Sequence, residues 1–284
     1  MFRKRAGSIS IICTIVVLMG AGLSNKHKLK EAQAKRTENQ WRPISQVGDI
    51  VPPDGFYRQA ADSSSMTHYL RGLTIKKDTK VYLYDGSLKA NQSAQYAVLD
   101  MDVGNRDLQQ CADAVMRLRA EYLWKQKRYG EITFNFVSGH EASWTRYSQG
   151  FRPSIQGSKV NWVKRASPCR TYACFRKYMD LVFSYCGTAS LHRDQPKVAA
   201  IHLKPGDFLI QKGSPYGHAV MIMDEVSNAK GEKRYLLAQS YMPAQSIHIL
   251  KNPSNSKSPW YTLAEDMPIR TPEWIFPENS YRSW

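Results

Sequence analysis

Between residues 105 and 126 the chain reads NRDLQQCADAVMRLRAEYLWKQ, and Leu108, Cys111, Val115, Leu118 and Tyr122 recur three and four positions apart. That spacing gathers them into one apolar helical stripe. Asp107, with Gln110 three residues on, fits a capping box and predicts a helix start at Asp107. A second helical run, CFRKYMDLVFSYC, covers 174 to 186 and stops at Gly187. Other segments carry strand patterns. KVYLYDGS (80 to 87) predicts a strand ending in an Asp-Gly turn, and QYAVLDMDV (95 to 103) and ITFNFVSG predict two more. Later, LKPGDFLIQKG turns at Pro-Gly into a strand, YGHAVMIMDEV follows, SNAKGEKR is a polar hairpin loop, and RYLLAQSYM and QSIHILK complete the series. The tail, rich in proline and tryptophan, predicts no element. A helix early and an antiparallel meander late is an α+β pattern.

The ends of the chain set the domain boundaries. Residues 1–24 begin MFRKR, continue through an apolar run from Ile9 to Leu18 and close on the small residues of MGAGLS. That is the form of a secretory signal, with an uncleaved anchor as the rival reading. Either way the bulk of the chain is expected outside the cytoplasm, periplasmic or associated with the cell envelope, with membrane contact only through an uncleaved N-terminus. Residues 25–50 are polar and lysine-rich and are expected to be a linker. Residues 51–284 are expected to form a single globular domain with an insert at about 138–200.

Composition narrows the partners. Of 284 residues, 42% are hydrophobic, enough for a core, and the formal charge is +16. Only Arg3, Lys4 and Arg5 of that excess lie in the first 24 residues. A basic balance favours an anionic partner such as a cell-wall polymer, or a peptide or glycan substrate. The charge is spread without a basic block or nucleic-acid motif, so nucleic acid is not expected. Oligomeric state is not legible.

Chemistry rests on the cysteines and one histidine. Cys111 is expected in the first turn of its helix, where exposed N–H groups favour a thiolate. Cys186 falls at a helix C-terminus, where the dipole opposes one. Cys169 and Cys174, in PCRTYACF, are close enough to bridge, or are simply buried. Asp100 and Asp102 fall on one side of a strand, as a turn or a weak metal pair. No cofactor is expected.

The order of a helix-start cysteine, PGDFLI, GHAVMIM and RYLLAQS resembles the NlpC-type and CHAP-type papain-like cysteine hydrolases. The resemblance implies a helix packed on an antiparallel sheet, with Cys111 as nucleophile, His218 as general base and Gln239 as the residue that orients it. Gln110, or the Cys111 backbone N–H, would help to bind an oxyanion. His248 is the reserve for the third position. The family's usual small pair after the cysteine is replaced here by Ala112 and Asp113, and 107 residues separate Cys111 from His218. The stretches LYDGSLKANQ, DLQQCADAVMRLRAEYL, PGDFLIQKG, GHAVMIMD and LLAQSYMPAQSIHIL also resemble a family of secreted bacterial proteins, domain of unknown function family 4846. That resemblance implies export and no particular activity.

Two readings of function follow. One is an exported cysteine hydrolase cleaving amide bonds, with peptidoglycan stem peptides as the substrate class. The other is a non-catalytic exported domain binding a cell-wall fragment or glycan. In it Cys111 is an inert core residue and Trp144, Tyr147, Phe151, Trp162 and Tyr216 are candidates for contact with sugar or peptide. Acyl-chain chemistry on the same scaffold is a third, weaker idea. His140 and His202 are expected at the surface or in the core.

Overall fold

The computed structural model describes residues 44–284, which form one compact unit. The expected signal and most of the expected linker lie outside the described residues. Val47 and Ile50, assigned to the linker by their polar neighbours, are fully buried.

The frame is an antiparallel sheet of six strands. They are β1 (Gln95–Val98), β6 (Phe208–Gln211), β7 (His218–Ser227), β8 (Lys233–Gln239), β9 (His248–Leu250) and β12 (Tyr281–Arg282), in the order β1-β9-β8-β7-β6-β12. The α+β expectation holds at this level, with a sheet that is antiparallel throughout. Strand β7 shows how the sheet divides its burden. Ala219, Met221 and Met223 join the larger core on the side of helix α2 (Cys111–Lys125), while Val220 and Ile222 join a second core on the opposite face. A strand covered on both faces reads as a continuous apolar run, which is why HAVMIM lacks alternation.

The second face is covered by the tail. A short ladder of β10 (Ile269–Arg270) and β11 (Ile275–Phe276) lies there, and β12 pairs with β6 through Tyr281↔Leu209. Sequence patterning missed all three strands. They are two residues long, too short to show a period, and their prolines are loop signals.

On the first side, α2 is preceded in the chain by helix α1 (Met66–Arg71). Asp224, buried where β7 has a bulge, binds Arg58 at 2.7 Å and Arg71 at 2.6 Å and ties that early segment to the sheet. The segment between α2 and β6 holds two hairpins, β2 (Thr133–Asn135) with β3 (Glu141–Ser143) and β4 (Phe151–Gln156) with β5 (Lys159–Lys164). It also holds helices α3 (Trp144–Ser148), α4 (Tyr172–Tyr185) and α5 (Thr188–Asp194). Trp124 of α2 stacks on Phe175 of α4 with centroids 4.6 Å apart, and Trp144 meets Tyr178 edge-on at 5.6 Å, so these aromatics build core.

Two expectations are corrected. The expected strand at 80–87 is a loop carrying isolated bridges, Tyr82↔Leu88 and Leu83↔Gln245. Helix α2 begins at Cys111 and not at Asp107. Gln110 is the cap residue, and its backbone N–H is taken by the Asp113 carboxylate at 3.0 Å. Asp107 is drawn elsewhere, accepting from the Gln110 amide at 3.0 Å and from Ala244 N–H at 2.7 Å. A local capping pattern lost to a long-range partner.

Candidate functional site

His218 is the first residue of β7 and is fully buried. The glycine before it is there for space. A Cβ on Gly217 would lie 2.3 Å from the Gln211 carbonyl oxygen and 2.8 Å from Thr188 Oγ1. Only glycine lets the chain enter β7 this close to β6 and α5.

The imidazole leaves the strand on the second face. It stacks on Phe276 with centroids 5.6 Å apart and packs against Trp274 at 5.1 Å and Tyr241 at 4.9 Å. Its Nε2 lies 2.8 Å from Gln239 Oε1. Gln239 Nε2 in turn donates to Glu273 Oε2 at 2.8 Å. A carboxylate can only accept, so this bond orients the amide and turns its oxygen toward His218. That oxygen also only accepts, so Nε2 of His218 carries the proton and Nδ1 is left with its lone pair. Nδ1 is buried and has no hydrogen-bond partner.

Glu273 is itself anchored. Lys89 Nζ binds it at 2.5 Å and Asn91 Nδ2 at 2.9 Å. Lys89 also lies over the Tyr241 ring, 5.6 Å from its centroid. The result is a relay from Lys89 through Glu273 and Gln239 to His218. His248, the reserve third residue, is not bonded to His218. Its Nδ1 lies 2.9 Å from the Ser246 carbonyl, and its Nε2 faces the Gln239 amide nitrogen at 3.4 Å.

Cys111 approaches the same point of β7 from the α2 side. Its Sγ lies 3.9 Å from the Gly217 carbonyl oxygen, and the Ala219 backbone N–H is directed at the sulfur. The thiol thus touches the backbone on both sides of His218, yet forms no hydrogen bond with the imidazole. Burial raises the thiol to about 11, helped by the Asp113 charge, although the N–H groups of Ala112, Ala219 and Cys111 pull the other way. Burial also lowers His218 to about 4, against the bond it donates to Gln239 and the charge of Glu273. The resting pair is therefore thiol and neutral imidazole. The thiolate expected from the helix start is overruled, because losing water costs a buried anion more than a helix end returns.

The other sequence candidates fare differently. The side chain of Gln110 is engaged with Asp107. Trp144 is buried in the aromatic core, although it borders an open cleft of about 340 Å³ with Trp124, Tyr129, Thr145, Ser148 and Arg170. Tyr216 is exposed, two residues before His218. Asp102 is paired with Arg117 at 2.8 Å and Arg176 at 3.1 Å, and among the described residues no cluster of three metal-ligating side chains forms. Cys169 and Cys174 are free thiols. Glu273, Lys89, Tyr241 and Trp274 went unnoticed in the sequence. Glu273 and Trp274 lie in a tail that carries no periodic signal, and a lone lysine or tyrosine announces nothing.

The family model described as "Domain of unknown function (4846)" matches residues 48–283. The chain belongs to this family. No curated protein and no solved structure matches it. No helix among the described residues is long and apolar enough to cross a membrane.

Proposed function

We propose that the chain is an exported papain-like cysteine hydrolase that cleaves amide bonds, with Cys111 as nucleophile, His218 as general base and Gln239 as the orienting residue. One observation carries the reading. The relay from Glu273 pins His218 in the tautomer whose bare Nδ1 is buried without a partner, while from the other face of the sheet the Cys111 thiol touches the backbone of the two residues that flank it, Gly217 and Ala219. Most buried polar atoms find a hydrogen-bond partner, so a ring nitrogen left without one invites a functional reading.

The chemistry follows from that arrangement. Hydrolysis requires the start of β7 to shift on substrate entry, so that Sγ and Nδ1, now on opposite faces of the strand, meet; Sγ then gives its proton to Nδ1 and attacks the amide carbon. The N–H groups of Cys111 and Ala112, at the start of α2, face the charge that develops on sulfur and oxygen. Collapse expels the amine, which takes the proton from His218. Water, deprotonated by the same Nδ1, then releases the acyl group from sulfur. Because the resting pair is neutral, proton transfer accompanies attack. Tyr241 and Trp274 screen the His218–Gln239 bond from water, which strengthens it. The basic chain favours anionic wall material, and peptidoglycan stem peptides combine that charge with amide bonds.

The test is turnover of peptidoglycan and of isolated stem-peptide amides by the full chain. Cys111→Ser and His218→Ala are each expected to cut the rate by at least ~10²–10⁴-fold with the fold intact by circular dichroism. Turnover that survives both substitutions would remove the reading. Absence of turnover together with saturable binding at the aromatic cleft near Trp124 and Arg170 would favour the non-catalytic binder.

A further inference from the structure

Cys169 and Cys174 lie apart from the His218 relay and play no part in the proposed hydrolysis. Both converge on Thr171, the cap residue of α4. Cys169 Sγ lies 3.5 Å from Thr171 Oγ1, and the same oxygen accepts the Cys174 backbone N–H at 3.3 Å. The two side chains thus meet around one hydroxyl, with the Cys174 thiol close enough to act on the Cys169 sulfur as a hydrogen-bond donor. Cys169 is half-buried and its backbone N–H is fixed to the Ser148 carbonyl at 2.7 Å. Cys174 is buried behind it. One sulfur is therefore within reach of an external reagent and the second waits at its back.

We propose that Cys169 and Cys174 form a thiol–disulfide redox site, with Cys169 as the attacking and Cys174 as the resolving sulfur, and a disulfide-bearing oxidant as the co-reactant. The Cys169 thiolate attacks one sulfur of the oxidant. A mixed disulfide forms and the first thiolate leaves, picking up the proton that Cys169 released. Cys174 then loses its proton to solvent, attacks the Cys169 sulfur and expels the second thiolate, which is protonated in turn. The protein gives up two electrons and two protons, and the oxidant becomes two thiols.

The two sulfurs are suited to these roles. The hydrogen bond from Cys174, then that from Thr171, draws Cys169 down to about 7. Burial, reinforced by Cys169, holds Cys174 up to about 11. The ring closed by such a bridge is short, so it constrains the unfolded chain little and is not a major staple. Its effect falls on Arg170, which sits inside that ring and lines the cleft beside Trp124, Tyr129 and Trp144. Oxidation would hold the guanidinium in place at the cleft wall, and reduction would free it.

The experiment is incubation of the full chain with oxidised glutathione, read by intact mass, free-thiol count and peptide mapping. The wild-type protein is expected to lose two hydrogens in mass and to bridge Cys169 to Cys174. Cys174→Ser is expected to stop at a stable glutathione adduct on Cys169, and Cys169→Ser to take up no adduct at Cys174. Cys174→Ala repeats the first arm where a buried hydroxyl disturbs folding, with thermal melts confirming the folded state. A persistent wild-type adduct on Cys169 without a bridge would overturn the proposal. So would the same adduct yield in both single variants.

Discussion

Two cysteines stand at the beginnings of two helices, and they differ in almost every chemical respect. Cys111 opens α2, is buried, and its thiol is held up at about 11. Cys169 lies just before α4, is half-exposed, and its thiol is drawn down to about 7. Both have helix N–H groups nearby, so the helix end does not separate them. What separates them is water and a hydrogen-bond donor. Cys169 keeps access to solvent and receives the Cys174 thiol, whereas Cys111 has been sealed beneath the sheet. A helix start is permissive for a thiolate and burial decides whether one forms. The sealed sulfur lies across the β7 backbone from the His218 ring and the open one lies near a second cysteine, so the two proposals rest on different surroundings.

The sharpest way to break this contrast is alkylation with iodoacetamide across pH, followed by peptide mapping. The separation between about 7 and about 11 gives Cys169 far more thiolate at neutral pH. Lower basicity returns part of the advantage, so Cys169 is expected to label roughly 10²-fold faster or more. Its rate should level off above pH 7, while that of Cys111 keeps climbing through the alkaline range. Equal rates at pH 7 would erase the comparison.

The buried base makes its own demand on stability. The imidazole of His218 is depressed from 6.5 to about 4, so the unfolded chain takes the proton first as pH falls. Stability present above pH 6.5 is lost as the pH drops toward 4, by about 3 kcal/mol for this residue at 1.36 kcal/mol per pKa unit. His248, lowered to about 3 by burial and then by the Lys89 charge, adds to the same trend. Urea unfolding at pH 7.5 and 4.5 measures the loss, and His218→Phe should remove part of it. A flat profile would place a charged imidazole in this face.

Gly217→Ala tests whether the approach of β7 to β6 is as close as the Gln211 carbonyl requires. A cost of about 1–3 kcal/mol is expected from overpacking, read as a lower urea midpoint, with Cys111 alkylating faster because the backbone that covers it has shifted. Labelling of Cys169 should stay unchanged.

The smallest effect belongs to Glu273→Gln. A neutral amide accepts as readily as it donates, so Gln239 is no longer held with its oxygen toward His218. Hydrolysis is expected to fall about 10-fold, in line with loss of an outer hydrogen bond, and nitrogen NMR of His218 should show both neutral tautomers. Glu273→Asp should recover part of the rate. Retention of a single tautomer in Glu273→Gln would mean that Tyr241 and Trp274 suffice to hold the ring.

What the sequence determined by itself was the set of long elements. HAVMIMDEV, RYLLAQ and the second helix lie where their apolar runs put them, because burying a continuous apolar segment leaves the chain few alternatives. The hydrogen-bonded pairing of His218 with Gln239 was also within reach, since it follows from two adjacent strands and a polar residue on each. Tertiary structure alone decided the rest. It moved the start of α2 from Asp107 to Cys111, because Asp107 found a partner in Ala244 far along the chain. It brought Glu273 from an unpatterned tail to fix a tautomer, and Lys89 from a loop to hold Glu273. It set the charge state of each sulfur, because a pKa is a property of the solvent left around a group, and no local stretch of residues records how much of it folding removes.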